Sequence, residues 1–164
     1  MRLIDLAVTR NVSIGLMVAA FLIGIYLATM IGPGILVLGV IGLACGYFYT
    51  APPVRLVARR GLGEIIIGLA FGPLITMGMY YVLTGTYSWE AFIVGIPAGL
   101  LTTNILVINQ VPDMEGDAST GKNHLIVTFG IKSAPYIWGA FWLASIALTG
   151  YLAMHYGKDL LWVA

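Results

Sequence analysis

A polytopic, all-α bundle, one integral membrane domain running through residues 1–164, is the architecture this sequence predicts. Three features predict it. Hydrophobic residues make up 60% of the chain and charged residues only 9%, whereas roughly a quarter of a soluble protein is charged. The apolar residues fall into long runs that contain no charge. The polar residues collect in two connecting segments. A soluble core of this length cannot enclose so much apolar surface, so the lipid bilayer is the partner expected to cover it.

Five runs approach the roughly 20 apolar residues needed to cross a bilayer: residues 12–31, 35–50, 65–83, 91–108 and 136–154. The first follows Met1-Arg2-Leu3-Ile4-Asp5 and is longer than the core of a cleaved signal, so it is read as a retained helix. Gly32-Pro33-Gly34 makes a tight turn into the second run, and Thr84-Gly85-Thr86-Tyr87 separates the third from the fourth. Glycines such as Gly68, Gly72, Gly95 and Gly99 permit close helix packing in lipid. Pro73 and Pro97 are expected to kink the third and fourth spans. The single cysteine, Cys45, lies in an apolar run and excludes an intrachain disulfide.

Short and long connections alternate, so the N-terminus and both long loops share one face. That face collects Arg2, Arg10, Arg55, Arg59, Arg60, Lys122 and Lys132, and Lys158 alone falls opposite. Such asymmetry predicts that the loops face the cytoplasm, in a cytoplasmic membrane. The net charge of +1 excludes an electrostatic nucleic-acid binder, which needs a basic excess on one surface.

The fourth span runs into Asn109-Gln110-Val111-Pro112-Asp113-Met114-Glu115-Gly116-Asp117. Acids this crowded beside hydrocarbon call for a counter-ion. Mg²⁺ suits them, because it takes carboxylate oxygens and is commonly shared with substrate phosphates. Asn109, Asp113 and Asp117 recur every four residues, the period of one helical face. Pro112 disfavours helix at Val111, so the chain is expected to bend there, with Asp113 opening a new turn. A solvated acidic cap is the alternative for these residues on spacing alone. Lys122 follows as a point charge for phosphate, and His124 reads as part of a polar loop. In the other long loop, Pro52-Pro53 stiffens the exit from the second span and presents Tyr49 and Arg55, a residue type suited to phosphate. Acidic and basic loops above one apolar bundle suit a diphosphate carried on a lipid tail.

Tyr49-Thr50-Ala51-Pro52-Pro53 with Arg55, Gly61-Leu62-Gly63-Glu64, and the segment from Asn109 through Gly121-Lys122 to Gly130 together resemble the UbiA-type membrane prenyltransferases. The resemblance is greatest to members that act on 1,4-dihydroxy-2-naphthoate in menaquinone synthesis. It implies transfer of a prenyl group from a prenyl diphosphate to an aromatic acceptor, with Mg²⁺ assisting departure of diphosphate. It further implies that Asp113, Asp117 and Glu115 hold the metal, that Lys122 and Arg55 neutralise the diphosphate, that Asn109 supports the site, and that Tyr49 lines the pocket and stabilises an allylic cation. Family members resemble a nine-span bundle with a second, earlier aspartate-rich motif. Here Asp5 is the only acid before Arg55, and the chain matches spans three to seven. A truncated, central-to-C-terminal part is therefore expected, with Leu160-Leu161-Trp162-Val163-Ala164 opening a further span. Catalysis would then need a second chain to supply the missing motif.

Two other classes compete. The CDP-alcohol phosphotransferases place an arginine-containing insert between their aspartates, which the run after Asp113 lacks. A small transporter or structural subunit would use polar groups at mid-membrane, for which Thr102, Thr103 and Asn104 are the candidates, and a substrate-binding remnant without catalysis remains the alternative within the family.

Overall fold

The computed structural model describes residues 5–157. Arg2, Lys158 and residues 160–164, on which part of the topology and the expected further span rest, lie outside the described residues. The fold is helical throughout the described chain: α1 (Leu6–Ile31), α2 (Gly34–Thr50), α3 (Leu62–Thr84), α4 (Trp89–Ser119), the short α5 (Leu125–Phe129) and α6 (Ala134–Tyr156). Four of these, α1, α3, α4 and α6 with its lead-in turn, are long and apolar enough to cross a membrane, and α2 is a shorter apolar helix. All five expected apolar runs are helical, and four of them reach spanning length.

Helix α1 starts earlier than its apolar run because Asp5 caps it, accepting the Ala7 N–H at 3.0 Å. No residue of α1 is buried, and its packing is against α2. The core lies instead along α4, which sits between α3 and α6 and buries Thr103, Asn104, Val107 and Gln110. Large apolar side chains are exposed around the whole bundle, Leu16, Ile65, Ile105 and Leu143 among them. This is the surface that lipid covers.

Small residues set how closely α3 and α4 approach. A Cβ on Gly72 would collide with the backbone of Gly95 and Gly99, and one on Gly99 would collide with the Gly68 carbonyl. Dispersion and backbone approach, rather than hydrophobic exclusion, hold helices together in lipid. Pro73 distorts α3 as expected, inside a π turn over Ala70–Leu74. Pro97 behaves differently. The α4 span breaks at Gly95, and Pro97 occupies the first turn of the run that follows, where a missing N–H leaves no helical bond unmade. Its carbonyl accepts Ser145 Oγ from α6 at 3.1 Å.

On the short-loop side, Tyr81 Oη accepts the Gly34 N–H at 3.0 Å and Tyr87 Oη donates to the Gly34 carbonyl at 2.7 Å. These bonds fix the α1–α2 turn against α3 and the connection that follows it. On the other side the two long loops meet, where the Asn123 N–H donates to the Val57 carbonyl at 3.1 Å.

Candidate functional site

Where α4 leaves the bundle, Asn109, Asp113 and Asp117 line one polar cavity of about 200 Å³, together with Tyr49, Lys122 and His124. Asp113 does not open a new turn after Pro112: helix continues through the proline, unbroken from Ile96 to Ser119. Proline's local preference is overridden because the helix is held on both sides of it. Val107 and Gln110 are buried before Pro112, and Asp117 is tied down after it. The helical period therefore carries through, and the three side chains share a face over about two turns. Glu115 does not line the cavity and is exposed. Two residues on from Asp113, it is turned about 200° around the helix axis.

Asp117 is the hub of the cavity. Lys122 Nζ donates to Asp117 Oδ1 at 2.6 Å, and His124 Nε2 lies 3.3 Å from Oδ2. The turn that makes this possible is local: Gly121 takes φ 75°, and the Lys122 N–H donates to the Asp117 carbonyl at 3.1 Å. A left-handed backbone of this kind is what glycine tolerates best. His124 is only 2% exposed, so its reading as a polar loop residue is corrected. It caps α5, with Nδ1 accepting the Val127 N–H at 3.2 Å, and this assignment leaves the ring proton on Nε2, facing Asp117.

Arg55 stands at the rim. It is exposed, does not line the cavity, and donates from Nη2 to the Thr120 carbonyl at 3.5 Å. Its backbone is left-handed (φ 44°), the one such non-glycine residue among those described, a conformation that costs on the order of 1 kcal/mol or more. Tyr49 occupies a different kind of position, lining both the polar cavity and an apolar groove of about 400 Å³ between α2 and α3. Leu38, Gly42, Ile66 and Phe71 form the groove wall.

Beneath the cavity lie residues whose roles the sequence reading did not separate out. Glu64, in the first turn of α3, is 2% exposed. Its Oε1 accepts Gln110 Nε2 and the Leu125 N–H, each at 2.8 Å. An acid in the first turn of a helix, just after Gly61-Leu62-Gly63, was the available signal.

Oxygen donors on one cavity wall suit a hard cation. Mg²⁺ is commonly held by one or two carboxylates with substrate phosphates completing its shell, and Asp113 and Asp117 with the Asn109 amide match that donor set. No group of three or more acidic, histidine or cysteine side chains is gathered for a metal among the described residues. The site therefore fits a shared metal and not a fully protein-bound one.

Three relatives are informative. The chain is 26% identical over 137 residues to a 1,4-dihydroxy-2-naphthoate octaprenyltransferase of Bacillus subtilis, covering 80% of this chain and 44% of that protein. It is 33% identical over 126 residues to the enzyme of the same name from Haemophilus influenzae, covering 76% and 40%. It is 38% identical over 98 residues to a 2-carboxy-1,4-naphthoquinone phytyltransferase of Synechocystis, covering 58% and 32%. The chain thus spans less than half the length of the curated relatives it matches. No solved structure matches it. The profile of the UbiA prenyltransferase family matches residues 2–164, essentially the whole sequence, and the chain belongs to the UbiA prenyltransferase family.

Proposed function

We propose that this chain binds a prenyl diphosphate and takes part in transfer of its prenyl group to an aromatic, quinone-precursor acceptor. The observation that carries the reading is the junction at Tyr49, where a polar cavity bearing Asp113, Asp117 and Lys122 meets an apolar groove. An amphiphile with a charged head and a hydrocarbon tail matches both halves.

In this reading Asp113 and Asp117 hold Mg²⁺, which when bound supplies charge to the departing diphosphate. Lys122 contributes an ammonium at the cavity, and Arg55 a guanidinium at its rim, so that both can neutralise diphosphate oxygens. Tyr49 presents a ring face where the head joins the tail, the position at which an allylic cation forms and where a π face attracts it. The groove keeps water from that cation. A second acidic cluster, contributed by a further segment or a second chain, completes the diphosphate clamp. The loops carrying these residues face the cytoplasm.

A second reading, diphosphate binding without bond cleavage, is favoured by one feature: Lys122 already occupies Asp117. One experiment separates the two. Mg²⁺-dependent release of diphosphate from a long-chain prenyl diphosphate is measured for the chain in nanodiscs, beside Asp113→Ala and Asp117→Ala. Release lost in both variants supports transfer. Binding lost in both, with no release by the parent, supports the binding reading, and binding unchanged in both variants removes the proposed site.

A further inference from the structure

Glu64 is a buried carboxylate at the edge of the membrane, and none of the described lysines, arginines or histidines forms an ion pair with it. Burying such a group is costly unless hydrogen bonds compensate. The compensation comes from two distant places, the Gln110 side chain on α4, 46 residues away, and the Leu125 N–H at the start of α5, 61 residues away. The positive end of α3 adds to it. Thr103 Oγ1 donates to the Glu64 main-chain carbonyl at 3.3 Å, so α3 and α4 are joined there twice.

We propose that Glu64 is a positioning residue that holds the α4–α5 loop in register, so that Lys122 and His124 are presented to Asp117. The sequence of contacts is continuous. Glu64 takes the Leu125 N–H, one of the free donors at the start of a helix. Leu125 follows His124, whose Nδ1 takes another donor of the same turn, the Val127 N–H, and whose Nε2 is thereby turned to Asp117 Oδ2. Lys122, two residues earlier, reaches Oδ1. Removing the Glu64 acceptor leaves the Leu125 N–H unpaired and loosens the His124 end of the loop, while Lys122 and Asn123 keep their backbone bonds to Asp117 and Val57. The same carboxylate selects the orientation of the Gln110 amide, because only its nitrogen can donate to Glu64. Glu64 does not itself line the cavity; it reaches it through the Leu125 N–H and the loop, and through Gln110, which does line it.

The test compares Glu64→Gln, which keeps an acceptor oxygen, with Glu64→Ala, which keeps none. Amide exchange of the full chain in nanodiscs is read at Leu125 to Val127 and, as a control for global folding, along α6. Affinity for a non-hydrolysable prenyl thiodiphosphate with Mg²⁺ is read in parallel, and this half rests on the proposed function. The expected result is faster exchange at Leu125 in Glu64→Ala with α6 unchanged, an affinity lowered by about tenfold, the scale of one lost hydrogen bond to a charged group, and near-parent behaviour in Glu64→Gln. Parent-like Leu125 exchange in Glu64→Ala overturns the proposal, as does a loss in Glu64→Gln equal to that in Glu64→Ala, which would assign the effect to charge. A parent chain that fails to bind the thiodiphosphate overturns the proposed function instead, and the exchange comparison still decides the role of Glu64.

Discussion

Lys122 Nζ lies 2.6 Å from Asp117 Oδ1, and this pair folds the loop after α4 back over the polar cavity. The contact is partly exposed, with 41% of the Lys122 side chain and 18% of the Asp117 side chain accessible, so solvent screens it. Its coupling should be about 1 kcal/mol or less. A double-mutant cycle of Asp117→Asn and Lys122→Met, followed by thermal unfolding in detergent, is expected to give a coupling of that size. Fully additive losses would mean that the pair contributes nothing. Asp117→Asn should cost more than Lys122→Met, because it also disturbs the buried His124.

Arg55 offers a cleaner separation of stability from binding. Its left-handed backbone (φ 44°) is one that glycine adopts without penalty. Arg55→Gly relieves that strain while adding freedom to the unfolded chain, so the net change in stability is expected to stay below about 1 kcal/mol. Affinity for prenyl diphosphate should nevertheless fall by about tenfold, as for loss of one charge-assisted contact. Unchanged affinity, measured by titration in nanodiscs, would take Arg55 out of the site.

The spans were legible because charge-free runs of this length have few uses other than crossing lipid. The face shared by Asn109, Asp113 and Asp117 is legible from its period, whereas the continuation of helix through Pro112 is not. Proline's preference is local, while the burial of Gln110 on one side and the tethering of Asp117 on the other decide the outcome. Glu64 is visible in the sequence as an acid in the first turn of a helix, but its partners, like the burial of His124, are not, for a related reason. Nothing in a Lys-Asn-His stretch states that an acid 61 residues from Leu125 will take its N–H. Partners so distant become neighbours only when α3 and α4 have packed.

That packing makes a direct prediction about glycine. Alanine at Gly72 or Gly99 places a Cβ against backbone atoms of the facing helix, which cannot move aside as a flexible side chain would. Each substitution should destabilise by roughly 1–3 kcal/mol or more, the range for overpacking. Gly139, around which the space is open, serves as the comparison and should tolerate alanine with little loss. Thermal unfolding of the three variants in one detergent checks the contrast. Equal midpoints would show that α3 and α4 are not in close contact.

Tyr49 tests the chemistry most directly, because it borders both the polar cavity and the apolar groove. If its ring faces a developing allylic cation, the interaction exists after the bond to diphosphate has begun to break and is absent from the bound substrate. Such an interaction raises kcat and leaves KM nearly unchanged. Tyr49→Phe keeps the ring and should lie within about threefold of the parent, given that Phe retains most of the cation–π attraction. Tyr49→Ala removes the ring and should lower kcat by about 30-fold, the equivalent of the roughly 2 kcal/mol of a desolvated cation–π contact. A Tyr49→Ala variant with raised KM and parent kcat would instead make the ring a wall for the prenyl chain. The two outcomes assign Tyr49 to the reacting carbon or to the tail, and steady-state kinetics of diphosphate release distinguish them.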